Sequence, residues 1–290
     1  MPRVLLTNDD GVDRDGIRAL RDCLIDAGLD VTTIAPAGNE SGVSGAVTVH
    51  RDVELRPVER GRHPVYSCTG TPVDCVRIGL LSDVAPDVTL VVSGINHGIN
   101  LGVDTACSGT VGAAIEAAHL GRCGIAFSQQ SDDHQVGIRE RGGHSFPLAP
   151  VAAAIARRAA ELPGRDGSIL NINLPSRLDA AMPMQVARLG RRYYAPGWLT
   201  PYVEHGEVGV LRFQPYAGLS EELPWHETDA GVDFTAVLAG RIAVTPMPLL
   251  DGRSGEPAVE WLSALDLPAV VADAVALLDS AFVAHPGSGR

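Results

Sequence analysis

Short apolar runs alternate with amphipathic stretches along the first 175 residues of the chain. Residues 3–8 and 31–35 predict two buried strands, and the apolar positions between them follow helical spacing up to Gly28. A strand, a helix and a second strand within about 35 residues form a βαβ unit, which implies a parallel sheet with a right-handed crossover. We expect Asp13 or Asp15 to cap this first helix.

The same alternation of strands and helices continues further along the chain. Additional strands of the sheet are predicted at residues 87–92, 124–128 and 169–174. Helices are predicted at residues 72–81, 107–120 and 148–162. In Gly70-Thr71-Pro72-Val73-Asp74 the residue types are those of a capped helix start, with Thr71 as the N-cap and Asp74 as its capping partner. The pattern therefore predicts an α/β fold with a mainly parallel sheet.

Two other regions favour β structure of a different kind. Residues 47–50 and 53–55 alternate like strands at a solvent edge, and residues 65–68 are expected to pair with them. Residues 182–250 combine short strands with Pro, Gly, Tyr and Trp, which is typical of a β-rich extension. A closing helix is predicted at residues 267–282.

Composition narrows the class of protein. A hydrophobic content of 45% with 20% charged residues predicts a packed core, and the net charge of −12 argues against binding to a nucleic-acid duplex or an anionic membrane. Apart from histidine, all basic residues, 23 in number, are arginine, which excludes a P-loop lysine and a Schiff-base mechanism. The five cysteines form no CxxC pair, and we find no signal segment or apolar run of membrane-spanning length. We therefore expect a cytoplasmic protein.

Polar residues follow several strands at the point where each strand ends. Asp9 and Asp10 follow the first strand, the loop 36–45 follows the second, and residues 93–102 follow the strand at 87–92. Ligands of open α/β sheets bind at this carboxyl edge. Adjacent carboxylates repel each other unless a proton or cation lies between them, and Mg²⁺ or Mn²⁺ prefers such oxygen ligands. A polar turn is the alternative interpretation of the first segment.

The segment 107–114 begins a helix that is rich in small residues. Free N–H groups and the helix dipole at such a start favour a phosphate or a similar anion, and Ser108 can also act as an ordinary N-cap.

His97 lies among glycines, where a surface role competes with a catalytic one. A divalent metal beside an anion-binding site is an arrangement that enzymes use to hydrolyse phosphate esters. We find no GxGxxG after the first strand, no GxSxG and no HExxH.

Five motifs, in the same order, resemble those of the SurE family of survival-protein-E, metal-dependent 5′-nucleotidases. They lie within residues 3–128 and are Thr7-Asn8-Asp9-Asp10-Gly11, Ala35-Pro36 with Ser41-Gly42-Val43-Ser44, Gly70-Thr71-Pro72 with Asp74-Cys75-Val76, Ser93-Gly94-Ile95-Asn96 with Gly98 and Asn100, and Ser108-Gly109-Thr110-Val111. Weaker similarity continues at Asn171-Ile172-Asn173-Leu174-Pro175 and at Thr228-Asp229 with Val244-Thr245-Pro246. One motif could arise by chance, whereas five in order are highly specific.

The resemblance implies a Rossmann-like, three-layer catalytic core at residues 1–180, a β-rich excursion used in oligomerisation at 181–260, and a C-terminal helix at 261–290 that packs on the core or on a partner subunit. It implies a homodimer or homotetramer that hydrolyses nucleoside 5′-monophosphates with one Mg²⁺ or Mn²⁺ per subunit. The implied metal ligands are Asp9, Asp10, Ser41 and Asn96, of which Asp9 and Asp10 are also the catalytic residues. The implied phosphate-binding residues are Asn96, Asn100, Ser108, Gly109 and Thr110.

The sequence departs from the family pattern in two places. Cys107 replaces a common aromatic residue, and residues 182–227 match poorly. These departures concern the wall of the substrate pocket and the oligomerisation arm. Two alternative functions are also kept: a metal-dependent hydrolase of another bond, similar to a sugar N-deacetylase, and a nucleotide-sensing module without turnover. Deacetylase sites generally add histidine ligands, and no histidine precedes His50 in this chain.

Overall fold

The computed structural model describes residues 1–131, 145–162, 164, 167–179, 181–192, 203–205, 208–210, 226–248 and 256–283. The strands are β1 Arg3–Thr7, β2 Asp30–Pro36, β3 Leu55–Glu59, β4 Val65–Cys68, β5 Leu90–His97, β6 Cys123–Gln129, β7 Ile169–Leu174, β8 Met184–Val186, β9 Val203–His205, β10 Val208–Val210 and β11 Ile242–Met247. The helices are α1 Asp15–Asp26, α2 Pro72–Leu81, α3 Gly109–His119, α4 Ala149–Glu161, α5 Asp233–Leu238, α6 Glu256–Leu265 and α7 Leu267–Val283, and a 3₁₀ helix spans Gly102–Cys107.

Within the described residues, nine of the strands form one sheet in the order β3-β4-β2-β1-β5-β6-β7-β11-β8. The strands from β4 to β7 in this order run parallel, whereas β3 pairs antiparallel with β4 and β11 pairs antiparallel with β7. The chain places β2 on one side of β1 and β5 on the other. The loops after β1, β2 and β5 therefore leave the sheet at the point where the strand order reverses, which is where α/β proteins bind ligands.

Alternating side chains along each strand separate the two faces of the sheet. Val4 and Leu6 of β1 belong to the apolar cluster beneath α1, α4, α6 and α7. Leu5, between them, belongs to the cluster that α2 and α3 cover. Since successive strand residues point to opposite faces, near-continuous apolar runs are what a doubly covered sheet requires. The predicted α/β fold, with three layers and a mainly parallel sheet, is confirmed.

Some local predictions were wrong. Residues 47–50 and 53–54 form no strand; the edge strand is β3, further along the chain. The Thr48 N–H donates to the Asp74 carboxylate instead of to a neighbouring strand. Helix α1 has Arg14 as its N-cap, without a side-chain hydrogen bond, so neither Asp13 nor Asp15 caps it.

The sheet continues across the boundary predicted at residue 180. Strands β8 and β11 both belong to the main sheet, and helix α5 lies in the segment for which β structure was predicted. Helix α6 begins at Glu256, inside the predicted excursion, and runs past its boundary at residue 260. Helix α7 packs on α4 through Val271 and Ala274. Much of the predicted oligomerisation segment, including residues 193–202 and 211–225, lies outside the described residues.

Among the helices that the structure describes, none alone has the length and apolar character of a membrane span. Residues 258–265 and 267–278 reach that length and hydropathy only as a pair bent by 49°.

Candidate active site

Asp9 and Asp10 lie immediately after β1, between the loops that follow β2 and β5. The Glu40 N–H donates to the backbone oxygen of Asp9 at 2.7 Å, which places the loop carrying Ser41 beside Asp9. The His97 N–H donates to Asp10 Oδ2 at 3.2 Å, which places the end of β5 beside Asp10. The three segments that the sequence predicted to converge therefore meet around these two carboxylates.

The N-terminus of α3 closes the site on the side of Asp9. Thr110 Oγ1 donates to Asp9 Oδ1, and the backbone N–H groups of Gly109 and Thr110 also bond to this carboxylate. A Cβ atom on Gly109 would lie only 2.8 Å from Asp9 Cβ, so the close approach of helix and carboxylate requires glycine. Ser108 caps the helix by accepting the Val111 N–H at 3.1 Å. The helix start that the sequence predicts to bind an anion is thus in contact with Asp9.

Burial makes both carboxyl groups hard to ionise. Asp9 and Asp10 are 3% and 7% exposed. Burial raises the pKa of Asp9, against the lowering effect of hydrogen bonds from Thr110 and Gly109. Burial, followed by repulsion from Asp9, raises the pKa of Asp10 to about 7, while the His97 N–H and the charge of Arg14 lower it. Two adjacent carboxyl groups that resist ionisation in a buried site are a place where a cation would bind favourably.

The donor set fits a hard cation. No group of three or more His, Cys, Asp or Glu side chains in the described part of the chain is arranged to hold a metal, so two carboxylates and neutral oxygens remain as ligands. Asn96 donates from Nδ2 to the Gly98 oxygen at 2.9 Å, so its carboxamide oxygen is the atom that a cation would contact. Ser41, exposed, lies next to Glu40 on the rim of the site. Oxygen ligands of this kind suit Mg²⁺ or Mn²⁺ better than Zn²⁺.

Asn100 is bound to the neighbouring strands. Its Nδ2 donates to Ser128 Oγ at 2.8 Å, and its backbone bonds to the side chains of Asn171 and Asn173. In the sequence, Asn171 and Asn173 stand out only as part of a weaker motif. Their signal was two amides on the same face of an otherwise apolar strand, where each must find hydrogen-bond partners.

Three other residues singled out by sequence have defined positions. His97 contributes its backbone N–H to Asp10. Asp74 forms the predicted capping box with Thr71. Cys107 is exposed, and its backbone oxygen accepts the Ser44 N–H at 3.1 Å, which ties the loop after β2 to the start of α3.

Comparison with known proteins gives one consistent result. A family model described as survival protein SurE matches residues 4–196. The 5′-nucleotidase SurE of Rubrobacter xylanophilus is 40% identical over 256 residues, which cover 85% of this chain and 91% of the relative. The 5′-nucleotidase SurE of Stenotrophomonas maltophilia R551-3 is 36% identical over 276 residues, which cover 92% and 100%. The crystal structure of the SurE protein from Aquifex aeolicus superimposes with a TM-score of 0.69 at 32% identity, covering 90% of this chain and 100% of that one.

Proposed function

The chain belongs to the SurE family, and we propose that it hydrolyses nucleoside 5′-monophosphates to nucleoside and phosphate with one divalent cation per subunit. Relatives named 5′-nucleotidase match over most of its length and support the reaction. The observation that carries the metal is the pair of adjacent buried carboxylates at the carboxyl end of β1. Their raised pKa values indicate a site built for a positive charge.

The proposed metal ligands are the four residues predicted from sequence: Asp9, Asp10, Ser41 and Asn96. Bound Mg²⁺ or Mn²⁺ would polarise a phosphoryl oxygen and offset the negative charge of the substrate. Either carboxylate can also accept a hydrogen bond from the attacking water and so orient it, because both lie at the same strand end.

The start of α3 would hold the phosphate. Ser108 is the N-cap, and Gly109 and Thr110 begin the first turn. The helix dipole attracts an anion there, and the N–H groups of these two residues, which also bond to Asp9, have no partner within the helix. The first turn contains no acidic residue of its own. Asn100 adds a carboxamide donor at the side of the site, and Asn96 is proposed to contact both phosphate and metal. Local positive potential of this kind is needed in a chain whose net charge is −12.

Release of inorganic phosphate from nucleoside 5′- and 3′-monophosphates, measured with Mg²⁺, Mn²⁺ or excess EDTA, tests the proposal. We expect turnover of 5′-monophosphates that requires the metal. Full activity in EDTA would remove the metal from the mechanism. Acetate release from N-acetylated sugars would favour the deacetylase alternative, and tight AMP binding without phosphate release across all metals would favour a sensing module.

We further propose a cytoplasmic homodimer or homotetramer. Support comes from the resemblance to the family alone, since the predicted oligomerisation segment lies largely outside the described residues. Light scattering of the purified protein tests the assembly, and a monomer would contradict it.

A further inference from the structure

Asn100 is held by three buried side chains of the two neighbouring strands. Ser128 at the end of β6 accepts the Asn100 Nδ2 group at 2.8 Å. Asn171 of β7 donates to the Asn100 backbone oxygen at 2.9 Å. Asn173, also of β7, binds both backbone groups of Asn100: its Oδ1 accepts the N–H at 2.8 Å and its Nδ2 donates to the oxygen at 3.0 Å. The position of the peptide and the orientation of the side chain are thus fixed separately.

This arrangement is not needed to form the sheet. Strand β7 is paired on both sides through its backbone, with β6 and with β11. Asn171 and Asn173 are fully buried, and a buried carboxamide lowers stability unless its polar atoms are bonded. Apolar residues at these two positions would serve the core better. Both polar groups of Asn173 and the amide nitrogen of Asn171 bond to a single residue outside the sheet, Asn100.

The chain beyond Asn100 is anchored as well. Asp233 Oδ2 accepts the Gly102 N–H at 2.7 Å, and Asp233 Oδ1 accepts the Gly190 N–H at 2.9 Å. The 3₁₀ helix Gly102–Cys107 then leads directly into Ser108, the N-cap of α3. These contacts therefore fix the position of Asn100 relative to the start of α3, where the phosphate would bind.

We propose that Ser128, Asn171 and Asn173 are positioning residues that orient Asn100 to donate a hydrogen bond to the phosphate of the substrate. A carboxamide nitrogen has two N–H groups. Ser128 binds one of them, and this bond directs the second toward the ligand. The inference rests on the proposed function for the identity of the ligand, and it adds residues of β6 and β7 to the site.

The dissociation constant of inorganic phosphate, measured by calorimetry with saturating Mn²⁺, tests this without turnover. We expect Asn100→Ala and Asn173→Ala each to weaken phosphate binding about tenfold, the effect of losing one hydrogen bond to a charged group, and Ser128→Ala to weaken it about threefold. Mn²⁺ affinity should not change, because none of the three residues bonds to Asp9 or Asp10.

A double-mutant cycle separates positioning from general damage. If Ser128 and Asn173 act through Asn100, their replacement in the Asn100→Ala background should change phosphate affinity less than about twofold. Thr245→Val is the matched control: Thr245 is buried next to Asn171 in the sheet, its hydroxyl has no partner in the described structure, and its loss should leave phosphate affinity unchanged.

Additive effects in the cycle, or an equal loss in Thr245→Val, would overturn the proposal. So would unchanged affinity in Ser128→Ala, a variant that removes one oxygen from a small buried side chain and is expected to fold even where Asn173→Ala does not. Failure of the proposed function would look different: the wild-type protein would release no phosphate from nucleotides, whatever these variants bind.

Discussion

The N-termini of α2 and α3 lie on the same face of the sheet and use similar residues for different purposes. Each helix begins with a hydroxyl N-cap, Thr71 or Ser108, and each meets a buried carboxylate. At α2 the carboxylate is Asp74, which belongs to the same helix. At α3 it is Asp9, which comes from β1.

The two carboxylates differ in how completely the protein compensates their charge. Burial raises the pKa of Asp74, but hydrogen bonds from Thr48 and Thr71 outweigh it and hold the pKa below its usual value. For Asp9 burial outweighs the hydrogen bonds, and the pKa rises. Asp10 adds a second, mutually repelling charge beside it. At the start of α2 the hydrogen bonds of the chain compensate the carboxylate charge, whereas at the start of α3 they do not, and there we propose a cation.

Neutralising one carboxylate at each helix gives the largest contrast. We expect Asp10→Asn to lower kcat by about a thousandfold or more, because a proposed metal ligand and its charge are lost. The same change should stabilise the metal-free protein near pH 8, where the buried charge is unfavourable. Asp74→Asn should keep wild-type turnover and lower the free energy of unfolding by about 1–2 kcal/mol.

Phosphate release and chemical denaturation in EDTA measure the two effects. Wild-type turnover by Asp10→Asn, or loss of turnover in a folded Asp74→Asn protein, would remove the distinction between the two helix starts.

Adding one methyl group beside each carboxylate gives a smaller contrast. In Gly109→Ala the new Cβ would lie 2.8 Å from Asp9 Cβ, and in Gly70→Ala it would lie 2.6 Å from Asp74 Oδ2. We expect Gly109→Ala to reduce kcat/KM about a hundredfold by displacing Asp9. Gly70→Ala should lower stability by about 1–3 kcal/mol, with KM and kcat near those of the wild type. Steady-state kinetics and thermal unfolding of both variants check this, and a Gly70→Ala enzyme as impaired as Gly109→Ala would contradict it.

The sequence predicted the parallel part of the fold well because its signals are local. Apolar runs indicated the strands. The start of α2 was indicated by three residues close together in the sequence: Thr71, Pro72 and Asp74. The pairing of β11 with β7 was not predicted, since it joins segments separated by a long excursion and no short motif records it. Residues 47–50 alternate like a strand, yet Thr48 binds Asp74 through a tertiary contact that the pattern does not contain.

The site, like the fold, was predicted only in part. Convergence of Asp9 and Asp10 with the loop carrying Ser41 and the strand end carrying Asn96 follows from parallel topology, because such strand ends share one edge. The role of His97 could not be predicted from the topology, because its backbone N–H, rather than its ring, bonds to Asp10. Peptide groups look alike in a sequence, so contacts made through the backbone leave no residue type to recognise.

The pH dependence of stability should have opposite signs at the two sites. Asp10 has a pKa of about 7 in the folded, metal-free protein, above its ordinary value of 3.8, so folding takes up a proton between these values. The free energy of unfolding should therefore fall as the pH rises from about 4 to 7, by at most about 1.4 kcal/mol per pH unit. The lowered pKa of Asp74 acts the other way, and its stabilising effect is lost as the pH falls below 3.8.

Urea denaturation in EDTA from pH 4 to pH 8 checks the first sign. Asp10→Asn should flatten the slope, and Mn²⁺ should restore stability more at pH 8 than at pH 6, because the metal and the proton compete for the same carboxylates. A wild-type protein whose metal-free stability rises steadily over this range would contradict the raised pKa.

Removing the hydroxyl cap of each helix gives the smallest and most closely matched contrast. Thr71 Oγ1 accepts the Asp74 N–H at 3.2 Å and Ser108 Oγ accepts the Val111 N–H at 3.1 Å, so Thr71→Ala and Ser108→Ala each remove one cap. Thr71→Ala also removes the bond from Thr71 Oγ1 to the Ala46 oxygen, so we expect stability to fall by about 1–2 kcal/mol in Thr71→Ala and by about 1 kcal/mol in Ser108→Ala. Only Ser108→Ala should also raise KM for a nucleoside 5′-monophosphate, by about threefold, since only the start of α3 is proposed to bind the substrate phosphate. Equal KM values for the two variants would mean that the α3 cap, like the α2 cap, serves the fold alone.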